Sequence, residues 1–350
     1  MVEFLVAHIS DLHLSTNPNK YGYQHIRGFG GKLKHVLRTR FATDPSTLSG
    51  SYDERSLIPL AERLAEGFNP EKKSLENSSE QKSYDAIVIS GDIATHGSLI
   101  EQSAARKLLD EILKSAIQKN EHLILPIVPG NHDRFRGKFN FPGAIDFEHV
   151  SAFDPDWSPY RRVAHTLGSR PYDKVQTFSI IKNDVTLTFI SIDCALQTKK
   201  DVSGWMDYLD QGMVTTDLLK CVKLNTEKAK LNNHAVAWIV HFPPENIEKE
   251  KRLRNQELLL ELAHELGVEL ILSGHTHKNA LRKFSSDTND INVVVAGTAL
   301  AFEEPCSYRE LTIGVDVITR KVSLIDAALV SRVAVPIDEQ ATSYVFSRSS

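Results

Sequence analysis

Residues 123–133 read Leu123-Ile124-Leu125-Pro126-Ile127-Val128-Pro129-Gly130-Asn131-His132-Asp133. An apolar run of this length followed by Pro-Gly predicts a buried strand entering a sharp turn. The turn then presents Asn, His and Asp where α/β folds place their ligand sites, beyond the strand ends. Asn131 offers a neutral oxygen donor, and His132 exchanges protons near neutral pH. Gly-Asn turns are common, so the stretch gains its meaning from the rest of the chain.

Four other apolar runs end in the same manner. Phe4–Ser10 leads into Asp11-Leu12-His13, and Tyr84–Ser90 into Gly91-Asp92. Ala235–Val240 leads into His241, and Val268–Leu272 into Ser273-Gly274-His275-Thr276-His277. Side chains two apart at a strand end turn the same way, which would pair Asp11 with His13. Taken singly, each is equally a capping Asp or a surface His. Together they supply two Asp, one Asn and four His as metal ligands. That is too many for one zinc ion and suits two metals sharing a carboxylate. Imidazole with carboxylate and amide oxygen, and no thiolate, fits Fe, Mn, Zn, Co or Ni.

The five motifs, in this order, resemble the signature of the calcineurin-like metallophosphoesterase superfamily, from Asp11 to His277. The resemblance implies an α/β (α+β) fold, a four-layer αββα sandwich of two mixed sheets flanked by helices, with a dinuclear site on the strand-end loops. Carried over residue by residue, it gives Asp11, His13 and His277 to one metal and Asn131, His241 and His275 to the other. Asp92 bridges them, offering one oxygen to each, and His132 is the catalytic histidine. Asp133 is expected to orient His132, and Arg134 and Arg136 to meet the substrate phosphate. The implied cofactors are two metal ions, Mn and/or Fe, with Zn, Co or Ni also compatible. Two cations roughly 3.5–4 Å apart clamp a phosphate and activate a water for in-line attack. Imidazolium at His132 protonates the leaving alkoxide.

Departures narrow the branch. Purple acid phosphatases carry a Tyr where Thr95 stands; Ser/Thr protein phosphatases carry Asp-Arg where Thr95-His96 stands, and Glu in place of Asp133. The wording Asp11-Leu12-His13-Leu14, Gly130–Arg134 and Gly274–His277 is most similar to the bacterial cyclic-nucleotide phosphodiesterase-like branch. DNA-processing nucleases share the motifs. The expectation is a phosphodiesterase acting on a small nucleotide or cyclic-nucleotide-type diester. The alternatives are a metal-dependent nuclease and a non-catalytic, metal-stabilised binding module.

Composition bounds these readings. The chain has 350 residues, 41% hydrophobic and 25% charged, with a net charge of −4. That charge gives no global pull toward nucleic acid or anionic membranes. Nucleic acid is therefore not the favoured partner, and no membrane contact is expected. No apolar run approaches the roughly 20 residues of a spanning helix. The N-terminus has no basic start or long apolar run of a signal peptide. Three scattered cysteines, Cys194, Cys221 and Cys306, match no zinc pattern and point to a reducing, cytoplasmic setting.

One catalytic domain is expected over residues 1–330, with insertions at 14–83 and 134–174 and a C-terminal extension at 331–350. The first insertion holds a basic stretch, Arg27, Lys32, Lys34, Arg38 and Arg40, at helical spacing. It either packs as an amphipathic helix or forms a positive rim for phosphate. The second is rich in aromatics (Phe135, Phe139, Phe141, Trp157) that either pin the loop or line a pocket. Helices are expected over 56–68, 98–120, 215–230 and 252–266, and hairpins around Asn183-Asp184 and Thr319-Arg320.

Overall fold

A computed structural model describes residues 1–14, 56–67, 83–94, 99–134, 174–195, 212–244, 253–287, 289–300, 306–336 and 342–348. The first strand, β1 (Val2–Ile9), sets the architecture. Val2, Phe4 and Val6 enter one buried cluster, while Leu5, Ala7 and Ile9 enter another. Period-two alternation with both faces apolar means a strand covered on both sides. The same split recurs in β2 (Ala86–Ile89), where Ala86 and Val88 face one core and Ile87 and Ile89 the other.

The remaining strands are β3 (Val175–Lys182), β4 (Val185–Ile192), β5 (Ala235–Val240), β6 (Leu270–Ser273), β7 (Ala280–Ser285), β8 (Asp290–Val295), β9 (Ser307–Val315), β10 (Val322–Pro336) and β11 (Thr342–Arg348). The helices are α1 (Leu57–Glu66), α2 (Leu99–Lys119), α3 (Thr216–Leu231) and α4 (Gln256–Glu265). One mixed sheet runs β11-β10-β9-β1-β2 and the other β3-β4-β5-β6-β8-β7.

Three cores separate four layers. Leu60 and Leu64 of α1 and Leu109, Ile112 and Leu113 of α2 pack on the outer face of the first sheet. Phe4, Val6, Leu311 and Ile313 meet Phe178, Leu187, Phe189 and Ile239 between the sheets. Leu218 and Val222 of α3 and Leu259 and Ala263 of α4 cover Trp238, Val240 and Ile271 on the far side. This is the αββα sandwich expected from the motifs.

Local chemistry explains the boundaries. Thr215 caps α3 by accepting from the Leu218 amide at 3.2 Å. Gly267 follows α4 at φ +59°, the left-handed residue that ends a helix. Asn183 and Asp184 both take positive φ in the two-residue turn between β3 and β4.

Several expectations change. The run Leu123–Val128 is not a continuous strand. It bridges β2 at Ile124 and Ile127, and Pro126 interrupts the ladder because it has no N–H to donate. Its carbonyl still accepts from Ile89 at 2.9 Å, so the run stays beside β2 and delivers the Gly130 turn to the site. The helix expected from 252 begins only at Gln256, because Arg254 bridges to Met213 and Asn255 takes φ +58°. The extension expected at 331–350 instead carries the end of β10 and all of β11, and Phe346 is buried in the outer core. The short, mostly exposed β7 gave no alternating pattern to read. The basic stretch from Arg27 to Arg40 and the aromatic residues of 135–173 lie outside the described residues.

Candidate metal centre

Ligand-type residues follow β1, β2, the Leu123–Val128 run, β5 and β6, and their loops are stitched to one another. The Asp11 amide donates to the Gly91 carbonyl at 3.0 Å, His13 to Asp92 at 2.9 Å and Leu14 to Ile93 at 2.7 Å. The Gly274 amide donates to the His241 carbonyl at 2.9 Å. Within this frame five of the residues adopt left-handed backbone: Asp11 at φ 52°, His13 at 48°, Asp92 at 51°, His275 at 71° and His277 at 58°. Such conformations cost on the order of 1–3 kcal/mol each and persist where surrounding bonds enforce them. Asp11 and His13 therefore reach the same space through paired left-handed turns, rather than through strand alternation alone.

The glycines permit close approach. A Cβ on Gly130 would lie 2.1 Å from Asp92 Oδ1, and one on Gly274 would lie 1.8 Å from Ser10 Oγ and 2.8 Å from Asp11 Oδ2. Gly130→Ala is expected to displace the Asp92 carboxylate and to lower metal content together with activity. Metal analysis of the purified variant checks this; a full complement of metal would show that the Asp92 loop yields without cost.

The donors gather into two groups, each within 4.8 Å: Asp11, His13 and His277, and Asp92, His241 and His275. Asn131 Oδ1 joins the second at 3.1 Å from His241 Nε2. Asp92 stands between them, its Oδ2 3.3 Å from His241 Nε2 and 4.0 Å from His13 Nε2. Its Oδ1 accepts the His132 amide at 2.9 Å. One oxygen of Asp92 thus faces both groups, where the sequence had suggested one oxygen for each.

These residues fit metal ions. His13 Nε2 and His277 Nε2 are 3.2 Å apart, as are His275 Nδ1 and His241 Nε2. Imidazole nitrogens this close bring lone pairs together unless a proton or a cation lies between them. Burial, then the neighbouring His132, pushes His13 down to about 3; burial, then His241, does the same to His275. Both are neutral at pH 7, the ligating form. For His241 burial acts downward, but Asp92 and Asp11 outweigh it and raise the ring to about 9. Its Nδ1 faces the Ser90 carbonyl at 2.7 Å, which leaves Nε2 toward the site. Burial opposes ionisation of Asp11, yet His277 and His241 hold it down at about 2. Burial likewise opposes ionisation of Asp92, which His241 and His132 keep well below the usual carboxylate range.

His132 sits at the rim. Its ring meets the His13 ring edge-on with centroids 4.7 Å apart, and with His13 and Asp92 it forms a third close cluster. Asp133 has a different task from the one expected. Its carboxylate accepts from the amides of Ala94 at 2.8 Å, Gly130 at 2.9 Å and Ile93 at 3.0 Å. It therefore ties the Asn131–His132 turn to the Asp92 loop. Burial, then repulsion from Asp92, lifts its carboxyl to about 6 against those three donors. Arg134 ends the one-turn 3₁₀ helix His132–Arg134; its side chain, and all of Arg136, lie outside what is described.

Two supporting residues escaped the sequence reading. Thr298 Oγ1 donates to the Asp11 carbonyl at 2.8 Å, and the Ser90 carbonyl orients His241. The Gly297-Thr298 pair follows the end of β8, so the strand-end pattern that revealed the ligands also marks it. Ser90 acts through its backbone, which no residue identity reveals.

A family model described as calcineurin-like phosphoesterase matches residues 4–279. No curated protein sequence matches the chain. Among solved structures, a dimetal phosphatase from Danio rerio is similar in fold, with TM-score 0.50 and 12% identity over 94% of this chain and 95% of that one. A 5'-nucleotidase precursor from Thermus thermophilus aligns with TM-score 0.43 and 11% identity over 99% of this chain and 55% of that one.

Proposed function

Because the chain belongs to the calcineurin-like phosphoesterase family, a family of dinuclear-metal hydrolases of phosphoric esters, we propose that it is a phosphodiesterase for a small nucleotide or cyclic-nucleotide-type diester, loaded with Mn and/or Fe. The observation that carries this reading is the full ligand set with His132 beside it, held by its own amide to Asp92 at 2.9 Å. Bound cations would neutralise the non-bridging phosphate oxygens and lower the pKa of a water at the site. The chain supplies the rest. Asp11, His13 and His277 would hold one cation, Asn131, His241 and His275 the other, and Asp92 would serve both. His132, half-exposed where most of the ligands are buried, gives its proton to the leaving alkoxide of a diester, which departs poorly unprotonated. Asp133 keeps that turn in register with Asp92.

A panel under one Mn concentration tests the reading. Bis-p-nitrophenyl phosphate and cyclic nucleotides are expected to turn over faster than the matching monoesters. Turnover of monoesters alone would overturn it. Oligonucleotide cleavage that falls steeply with salt would favour a nuclease. His132→Ala is expected to keep both metals and lose roughly 10²–10⁴ in rate. A full rate with both metals bound would remove His132 from the reaction and favour a binding module.

The setting supported by composition is the cytoplasm. Cys194, Cys221 and Cys306 form no disulfide, and Cys221 is exposed. Among the described residues no helix is long and apolar enough to cross a membrane.

A further inference from the structure

The opposite end of the second sheet carries a cleft of about 720 Å³, within the range of small-molecule sites. Its walls are the ends of α3 and α4, the β7–β8 turn and the β9–β10 turn. The metal ligands follow the C-terminal ends of β5 and β6, whereas Glu269 of the cleft immediately precedes β6. Glu269 and His275 lie six positions apart at opposite ends of β6, on the order of 15–20 Å. The cleft is therefore distinct from the metal centre.

Its central group is Arg320. Asp316 shapes the turn that presents it: its Oδ1 accepts the Thr319 amide at 2.7 Å and the Ile318 amide at 2.9 Å, and its carbonyl accepts the Arg320 amide. Arg320 then takes φ +59°. Its Nε and one terminal nitrogen are shielded from solvent and meet no hydrogen-bond acceptor among the described residues. Guanidinium donors in that condition lack a partner that native structures ordinarily supply. Lys230 and Lys321 line the same cleft. The acids beside them are already engaged in part. Glu265 pairs with Lys223 at 2.5 Å, and Glu269 accepts the Val322 amide at 2.7 Å, leaving Asp287 on the wall. The positive charge of Arg320 also reaches His234, which burial first and Arg320 second hold below its ordinary value.

We propose that this cleft binds a phosphate-type oxyanion, free or carried on a small polar molecule, with Arg320 as its two-pronged donor and Lys321 adding charge. A guanidinium presents parallel N–H groups that match two oxygens of one anion. Among the described residues the lining contains no Phe, Tyr or Trp, and Leu266 and the His264 ring form its less polar wall. The site is independent of the hydrolytic reading, because no residue is shared with it.

The test is equilibrium dialysis of the whole 350-residue, metal-loaded chain against labelled inorganic phosphate. Phosphate that binds the metal centre is present in every arm, so the readout is the difference between variants. Arg320→Gln is expected to bind one equivalent fewer, or to bind that equivalent roughly tenfold or more weakly, with its hydrolysis rate unchanged. Identical stoichiometry and affinity in wild type and Arg320→Gln would overturn the proposal. If Arg320→Gln unfolds early, Arg320→Lys decides: it keeps the charge and loses the fork, so affinity should fall to an intermediate value. Unchanged affinity there would overturn the two-pronged role. Acetate is the competitor; acetate binding as tightly as phosphate would overturn the phosphate class.

Discussion

Asp92→Asn is expected to bind both metals poorly and to lose hydrolysis by roughly 10³ or more, the scale of several kcal/mol of lost charge stabilisation. Asp92 Oδ2 is the oxygen that faces both donor groups, 3.3 Å from His241 Nε2 and 4.0 Å from His13 Nε2. Removing its charge leaves two close cations repelling across a poorly screened gap. Asn131→Ala is the contrasting case. Its oxygen is neutral and stands on the His241 side, 3.1 Å from Nε2. That variant should lose one metal selectively and regain part of its activity in excess Mn, since His241, His275 and Asp92 remain. Metal content by mass spectrometry with activity titrated against Mn separates the two. Tight retention of both metals by Asp92→Asn would show that Asp92 does not join the half-sites. Metal uptake should also release a proton and weaken as pH falls, because His241, raised to about 9, must surrender its proton to ligate.

The second large effect concerns stability. Arg63→Ala is expected to cost about 3 kcal/mol, within the range for breaking a buried ion pair. Arg63 of α1 reaches the fully buried Glu310 of β9 at 2.5 Å and also donates to the Gly67 carbonyl at 2.6 Å. Tyr84 donates to the same Glu310 oxygen, and Arg348 of β11 stands 4.0 Å from the other. Those neighbours hold the loss near the lower end. Burial raises the Glu310 carboxyl above its ordinary value, with Arg63 the leading opposing influence. Removing Arg63 raises it further. A group whose folded pKa lies above its unfolded value loses stability as pH rises through the folded value. The deficit of Arg63→Ala relative to wild type should therefore be larger at pH 8 than at pH 5. Urea unfolding at both pH values checks it; a pH-independent deficit below about 1 kcal/mol would mean that Glu310 is not held by this arginine.

Much of the candidate site was legible in the sequence. Each ligand follows an apolar run that can only be buried, so Asp11, Asp92, Asn131, His241 and His275 had to emerge at sheet edges. Gly91, Gly130 and Gly274 marked where backbone would pass close to a side chain. The layer order followed from the resemblance carried by the five motifs, and β1, β2 and β5, apolar on both faces, are strands covered twice. Helix α2 was recognised from the 3.6-residue spacing that buries Leu109, Ile112 and Leu113.

What the tertiary structure decided lies in contacts between distant segments. Asp133 was read beside His132 because they are neighbours in the chain, yet its carboxylate turns to the amides of Ile93, Ala94 and Gly130. That Asp92 turns Oδ2 toward both His241 and His13 follows from the His132 amide taking Oδ1, a bond across 40 residues. β11 was missed because a short, mostly polar edge strand buries little on its own and forms only where β10 offers a free ladder. Arg320 looked like a hairpin residue, and only the fold sets its unpaired donors against α3, α4 and the β7–β8 turn. Residue type and short-range periodicity are local properties and determine which groups exist and which faces are buried. Which amide meets which carboxylate depends on chain closure over tens to hundreds of residues, and that information exists only once the sheets have paired.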